Sequence, residues 1–270
     1  MRSLTSLFDM RIDARPVVFA RIVVGSMAVL RAVEGWRIGS RVLDPSTLKA
    51  PLINGLTLSS ELLLPLIITW IICAILFTAG VCIRVVGLIL TACMFVTLLG
   101  DEQLYSNHLY LIAIEVLLLT FVGSGKTLFP KKNATVPAWP VVLLKIQLSI
   151  VYAFAAITKI TPVFLSGAIL YLNLRRTGIF ALPPSLRTLP ILSMLSVVAV
   201  LTEIFLSLAL WSNKYRRVGV VVGVLFHVTL TLMIVPEVAV QLFVFSLAVL
   251  ALYPLYFFPL KETAGEPCPS

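Results

Sequence analysis

The chain has 270 residues, of which 60% are hydrophobic and 12% are charged, and its formal net charge at pH 7 is +9. Soluble globular domains are about half apolar and a quarter charged, so this composition excludes an ordinary soluble protein and indicates an integral membrane protein. The Lys and Arg residues lie in small groups between apolar segments rather than in one patch, so we expect a lipid bilayer as partner and no nucleic acid.

Eight apolar segments bounded by charged residues, Pro and Gly are candidates for membrane-spanning helices. In chain order they cover roughly residues 17–35, 61–81, 84–100, 107–124, 138–160, 189–212, 217–235 and 237–258. The first segment is followed by "RAVEGWRIG" rather than by a small-residue cleavage site, so we interpret it as a retained helix. The sequence therefore predicts an all-α, polytopic integral membrane bundle of about eight transmembrane helices.

One longer connection has a pattern of its own. The segment "FLSGAILYLNLRRTGIFALPP", residues 164–184, is apolar, then basic, and ends in two prolines. This pattern predicts a short helix at the outer membrane interface, and an ordered loop is the alternative that stays open. Most other connections are short, so we predict one membrane domain over residues 1–260 and a short polar tail over 261–270.

The charged flanks of the segments predict the orientation. The turns around 101–106 and at 236–237 contain no Lys or Arg, whereas the alternate turns and both ends are basic. The positive-inside rule therefore predicts a multi-pass protein of the plasma (inner) membrane with both termini in the cytoplasm. Two predicted outer loops, 36–60 and 161–188, also contain basic residues and weaken the asymmetry.

Ionisable side chains inside the predicted spans are candidate functional groups, because an unpaired charge is costly in a bilayer. His108 and Glu115 are seven residues apart and share one face of the fourth span, about 10 Å from each other along the axis. Tyr152 and Lys159 repeat this spacing on the fifth span. We expect Lys159 and His108 to lie on the outer side at one level.

Further polar residues occupy the first, fifth, sixth and seventh spans. Gly219, Gly223 and His227 form a row that predicts close approach of another helix. Counting from the helix ends places Glu203 and His227 at similar depths, so they are predicted as partners, either in a structural hydrogen bond or in a proton relay. Arg21 and Lys145 are expected to extend to the interface or to neutralise a buried carboxylate. We interpret the aromatic cluster at 253–259 as an interfacial belt.

The cysteines give no sign of redox or metal chemistry. Cys73, Cys82, Cys93 and Cys268 contain no C-x-x-C pair, and no metal-ligand spacing occurs. We therefore predict neither a thiol–disulfide oxidoreductase nor a metal site.

Five stretches, taken together and in order, resemble the horizontally transferred transmembrane (HTTM) family, which is related to the membrane domain of vitamin K-dependent gamma-carboxylases. The stretches are "DARPVVFARIVVG", "YSNHLYL", "QLSIVYAFAAITKITPVFLSGAILYL", "LTEIFLSLAL" and "GVLFHVTLTLMI". The resemblance implies an HTTM-like membrane domain over 1–260. It also implies that Lys159 is the base for a vitamin K-type hydroquinone, such as menaquinol, and that His108 is a neighbouring active-site group.

Both roles are chemically coherent, because a poorly solvated lysine can act as a base and a histidine can relay a proton. The supporting or binding candidates are Tyr105, Asn107, Glu115, Tyr152, Glu203 and His227. The chain departs from the family pattern at Phe164, where a tryptophan is usual, and at Ala155 and Ala156, which replace an Ala-Gly pair. It also has no counterpart of the large extracytoplasmic region of true carboxylases, so we do not expect carboxylation of protein glutamates.

Three functions remain open from the sequence. The first is a small enzyme that uses a lipid-soluble quinol or modifies a secreted peptide at the outer leaflet, with Lys159 as base and His108 assisting. The second is a non-catalytic membrane helper or assembly subunit, for example in antimicrobial peptide maturation, that would bind another membrane subunit. The third is a proton-coupled transporter with a proton path through Glu115, Glu203 and His227.

Overall fold

The structure is a computed structural model that describes residues 9–53, 58–123, 134–174, 183–233 and 236–262. Long helices dominate these residues, and three short strands and three single-turn 3-10 helices join them. The helices are α1 Ala14–Val42, α2 Ser60–Ala79, α3 Ile83–Gly100, α4 Asn107–Val122, α5 Trp139–Lys159, α6 Pro162–Leu165, α7 Ala168–Leu174, α8 Leu189–Ala209, α9 Arg216–Met233 and α10 Pro236–Ala251. The strands are β1 Met10–Asp13, β2 Thr135–Pro137 and β3 Lys261–Glu262.

Seven helical segments are long and apolar enough to cross a membrane, and α4 is a shorter apolar helix. The seven are α1, α2, α3, α5, α8, α9 and Val240–Phe257, which continues α10 through the 3-10 turn Tyr253–Phe257. At 1.5 Å per residue the 16 residues of α4 extend about 24 Å, somewhat less than the hydrocarbon core of about 30 Å. The predicted all-α, polytopic membrane bundle is confirmed, and each of the eight predicted spans coincides with a helix.

The predicted interfacial helix falls on a region that is only partly described. Residues 162–174 form α6 and α7, which meet at Gly167, and a 3-10 turn covers Pro184–Leu186. Residues 175–182 lie outside the described residues. Gly167 has φ +80°, and a Cβ there would come 2.5 Å from the backbone nitrogen of Ser193 in α8. A glycine is therefore required for α7 to pack against α8. The location of this segment at the membrane interface stays a prediction.

A small antiparallel sheet is the feature that the sequence did not predict. Its order is β2-β1-β3, with Arg11 opposite Pro137 and Met10 opposite Glu262. The three strands come from before α1, between α4 and α5, and after the last helix. Because the strands meet in one sheet, the chain must cross the bilayer an even number of times between any two of them. The short helix α4 must therefore cross if α1, α2 and α3 do.

The contacts divide the chain into two compact units, and the boundary between them falls within α5. The first unit contains residues 1–144 and 257–270, and the second contains residues 145–256. In the first unit α1 packs on α2, and α3 packs on both α2 and α4. The fully buried Trp70 of α2 donates its indole N–H to the Ala28 carbonyl of α1, over 3.0 Å. This bond fixes the depth of one helix relative to the other.

The second unit is built from α5 to α10, with α8 against α9 and α9 against α10. Gly219 and Gly223 lie on the buried face of α9 together with His227. A Cβ on Gly219 would come 3.2 Å from the Cβ of Ala209 in α8, and a Cβ on Gly223 would overlap the Tyr253 hydroxyl. The close approach predicted for this glycine row is confirmed.

Candidate functional site

The second unit contains an ion pair between α5 and α8. Lys159 Nζ lies 2.6 Å from Glu203 Oε1, with side-chain exposures of 31% for the lysine and 5% for the glutamate. Lys159 is the last residue of α5, where the partial negative charge of the helix C-terminus stabilises its ammonium group. Glu203 lies on the buried stripe of α8 with Ser196 and Val200. The second carboxylate oxygen, Oε2, is buried and has no hydrogen-bond partner among the described residues.

The pairing of Glu203 with His227 that the sequence predicted is wrong. Equal depth along two helices does not make two side chains neighbours, because the rotation of each helix about its axis decides which residues face each other. Here Glu203 faces Lys159, and His227 faces Tyr152 and Ser246. Lys159 therefore has a carboxylate partner that the sequence had assigned elsewhere.

A chain of hydrogen bonds fills the interior of the same unit. The Tyr152 hydroxyl lies 2.8 Å from His227 Nε2 and 2.6 Å from the Tyr253 hydroxyl. His227 Nδ1 lies 3.1 Å from the Ser246 hydroxyl oxygen. All four side chains are less than 5% exposed. These hydrogen bonds join α5, α9, α10 and the 3-10 turn after α10. Buried polar groups linked in this way hold helices in register.

Two members of this hydrogen-bond chain were missed from the sequence. The cluster at 253–259 was interpreted as an interfacial belt, but Tyr253 and Tyr256 are each 3% exposed. The Tyr256 hydroxyl donates to the Lys145 carbonyl, over 2.9 Å. Ser246 carried no distinguishing signal, because serine is common in apolar helices. Gly223 was the usable sign, since its missing side chain makes the space for the Tyr253 ring.

In the first unit, the predicted residues of the fourth span lie at the start of α4. Ser106 precedes the helix, Asn107 and Tyr105 are exposed, and His108 is half-buried. Arg31 of α1 is the charged neighbour of His108, and it forms an ion pair with Glu34. His108 and Lys159 belong to different units, so their placement at one level stays a prediction.

Glu115 follows His108 by two turns of α4 and is fully buried. Neither of its carboxylate oxygens has a hydrogen-bond partner among the described residues. A buried acid without a hydrogen-bond partner is rare in folded proteins, because removing it from water costs free energy that nothing offsets. Its role as a supporting group or as part of a proton path stays a prediction.

Arg21 and Lys145, which were expected to extend to the interface or to neutralise a buried carboxylate, are both buried. Arg21 is fully buried, and its guanidinium lies against Gly80, the left-handed residue that ends α2. The carbonyl end of a helix carries partial negative charge, which stabilises a cation there. Lys145 is 7% exposed, with Nζ 5.3 Å from the centre of the Tyr256 ring, in a cation–π contact. Both charges are therefore buried, that of Arg21 against the carbonyl end of α2 and that of Lys145 against an aromatic ring.

Comparison with known protein families assigns the chain. The model of the HTTM domain matches residues 10–259, which include every spanning helix described above. The chain belongs to the HTTM family. No curated protein and no solved structure matches it. The resemblance inferred from the five sequence stretches is confirmed, and this HTTM protein is a multi-pass membrane protein of the carboxylase-associated family.

Proposed function

We propose that this HTTM protein is a membrane-embedded enzyme in which Lys159 removes a proton from a lipid-soluble quinol or from a small secreted peptide at the outer leaflet. The observation that carries the proposal is the ion pair of Lys159 with Glu203, 2.6 Å long. The lysine is partly exposed, whereas the glutamate is buried. An incoming molecule would therefore meet the amine, with the carboxylate behind it.

The pair supports base chemistry because it can store the lysine's proton. In water the two charged forms are stable, but desolvation penalises both charges and brings the neutral pair closer in energy. A proton that moves from Nζ to Oε1 leaves a neutral amine with a lone pair, which can then accept a proton from the substrate. Glu203 holds the transferred proton, and its buried Oε2 accepts no other hydrogen bond from the described residues.

The surroundings of Lys159 fit a vitamin K-type hydroquinone such as menaquinol. Near Lys159 in the sequence, the end of α5 and α6 carry exposed apolar side chains, which include Ile160 and Val163. Such side chains offer contact to an apolar ring or chain that arrives through the lipid. The hydroquinone would supply an ionisable hydroxyl group and two reducing electrons. In this proposal His108 assists the proton transfer.

The test uses the purified full-length protein, menaquinol and air, with quinol loss followed by absorbance and the products identified by mass spectrometry. We expect Lys159→Ala to lower turnover by about 10²- to 10⁴-fold, the usual contribution of a general base. Glu203→Gln should also lower it, because the amide cannot take the lysine's proton. His108→Ala should reduce turnover without changing the thermal unfolding midpoint. Unchanged turnover in Lys159→Ala would remove the proposal.

A second function is favoured by the way in which the same residues join helices. The ion pair connects α5 to α8, and the Tyr152–His227 bond connects α5 to α9. A non-catalytic helper or assembly subunit would need only these connections. The double variant Lys159→Glu, Glu203→Lys separates the two functions, because it restores the attraction but reverses the groups. A helper regains both its unfolding midpoint and its cellular phenotype, whereas an enzyme regains the midpoint alone.

A further inference from the structure

A second polar site lies away from the ion pair, in a cleft between α9 and α10. The cleft has a volume of about 180 Å³. Its polar wall contains His227, Thr231 and Ser246, and its apolar wall includes Val228, Phe243 and Leu247. Val228 and Phe243 are each 46% exposed on the apolar outer surface of these helices. The cleft therefore opens toward the hydrocarbon of the bilayer, and a molecule dissolved there can reach it.

The hydrogen bonds behind the cleft have a preferred direction. If Tyr253 donates to Tyr152, then Tyr152 donates to His227 Nε2, and Nδ1–H donates to Ser246. In the opposite direction the last hydroxyl hydrogen is that of Tyr253, which is 3% exposed and has no further acceptor in the described part of the chain. Because a buried donor without an acceptor is costly, the first direction is preferred.

In this direction the Ser246 hydroxyl hydrogen points away from His227. The nearest acceptor is the Thr231 hydroxyl oxygen, at 3.4 Å, which is long compared with the usual O–H···O distance of about 2.7–2.8 Å. The Thr231 hydroxyl hydrogen is already donated to the His227 carbonyl, over 2.9 Å. The polar wall of the cleft thus offers one hydrogen, from a serine that is 4% exposed.

We propose that this cleft binds a carbonyl group carried on an apolar body of about one ring, which enters from the bilayer and accepts the Ser246 hydrogen. A carbonyl suits the site because it accepts a hydrogen bond and brings no hydrogen of its own that would need an acceptor in an apolar cleft. The volume agrees with this size, since an apolar cavity of about 150 Å³ holds one benzene molecule. The proposal does not depend on the base chemistry of Lys159.

The carbonyl can come from two sources, a free lipid-soluble ketone or quinone and the ester group of a membrane lipid. Benzophenone distinguishes them, because it is a ketone and forms covalent bonds to neighbouring C–H groups under near-ultraviolet light. One of its two rings would enter the cleft with the carbonyl, and the other would stay in the lipid at the open side. The full-length protein is placed in nanodiscs of ester-linked or ether-linked phospholipid, irradiated with benzophenone, and mapped by tandem mass spectrometry. We expect labels on Val228, Leu232, Leu247 or Leu250. Equal labelling in the two lipids indicates a free carbonyl, and stronger labelling in the ether lipid indicates that lipid esters occupy the cleft.

Variants check that the label reports this cleft. Val228→Trp should abolish labelling by filling the space, and Val221→Trp should not, because Val221 lies two turns earlier on the same face of α9, is 58% exposed and does not line the cleft. Both positions are exposed, so both variants should fold. Ser246→Ala should reduce labelling roughly fivefold, the effect of one lost hydrogen bond. Thr231→Val removes the competing acceptor and should maintain or raise it. Absence of labels in both lipids, or labelling that Val228→Trp leaves intact, overturns the proposal.

Discussion

Tyr253 is the residue on which the buried hydrogen-bond chain of the second unit begins. Its hydroxyl is 2.6 Å from that of Tyr152, which in turn contacts His227. The Tyr152 hydroxyl can accept one hydrogen bond while it donates another only if Tyr253 is present. At this scale the structure explains why a membrane-embedded histidine is tolerated, because each of its ring nitrogens has a partner.

Removal of the Tyr253 hydroxyl is the sharpest test of this chain. We expect Tyr253→Phe to cost about 1 kcal/mol, because the ring stays packed while one buried hydrogen bond is lost. For a domain of this size that corresponds to a fall of about 2–4 °C in the unfolding midpoint. Thermal denaturation in detergent measures it. The matched control is Tyr215→Phe, since Tyr215 is 48% exposed and should show no change. Equal midpoints for the two variants would contradict a stabilising chain.

At the scale of single elements, α9 shows how one helix face is shaped for its neighbours. Gly219 and Gly223 lie on its buried side, and the absent side chains admit Ala209 and Tyr253. The four-residue spacing of the two glycines and His227 predicted this face correctly, because residues four apart lie above one another on a helix. The identity of the incoming groups was not predictable, because the α9 sequence contains no information about them.

Gly223→Ala tests the closeness of this packing. The added Cβ would overlap the Tyr253 hydroxyl, so we expect the variant to lose about 1–3 kcal/mol of stability, as overpacked cores do. The control is Gly35→Ala in α1, where the nearest atom would be the Ile67 Cδ1, at 3.5 Å, an ordinary contact. That substitution should stabilise the protein by up to about 1 kcal/mol, because alanine favours a helix over glycine. Unfolding midpoints compare the two. An unaltered midpoint in Gly223→Ala would show that the tyrosine has room to move.

At the scale of the whole molecule, the three-stranded sheet constrains the membrane topology. Its strands come from three separate places in the sequence, and all three places must lie on the same side of the bilayer. This agrees with eight crossings and with two termini on the same side. It also makes α4 a crossing helix, although its 16 residues extend only about 24 Å. Which side faces the cytoplasm stays a prediction from the basic flanks.

Cysteine labelling tests this topology. In a cysteine-free background we expect Asp9→Cys, Thr135→Cys and Glu262→Cys to be protected from a membrane-impermeant maleimide in intact cells and labelled after permeabilisation. Gln103→Cys should be labelled in intact cells, because three crossings separate it from Asp9. Asp9, Gln103 and Thr135 are exposed, so access is limited by the membrane and not by burial. A difference in protection between Asp9→Cys and Thr135→Cys would mean that α4 does not cross.

Much of the fold was predictable from the sequence, whereas the contacts of the candidate site were not. The eight spans and the glycine face of α9 follow from apolar length and helical period, both of which are local properties. The seven-residue spacing of Tyr152 and Lys159 also placed both side chains on one face of α5. Their partners lie 44 to 101 residues away in the sequence. No local pattern specifies which of several buried polar groups each of them meets.

The sequence by itself determined that this protein is a multi-pass helical membrane bundle, because long apolar segments can cross a bilayer as helices whose backbone is internally hydrogen-bonded. The ordered sequence stretches also indicated the HTTM family. The tertiary structure alone decided that Glu203 pairs with Lys159, that His227 pairs with Tyr152 and Ser246, and that three short strands form one sheet. These contacts depend on the rotation and depth of each helix relative to its neighbours. The rotation and depth of a helix are set by packing over the whole unit, and the residues of that helix alone do not determine them.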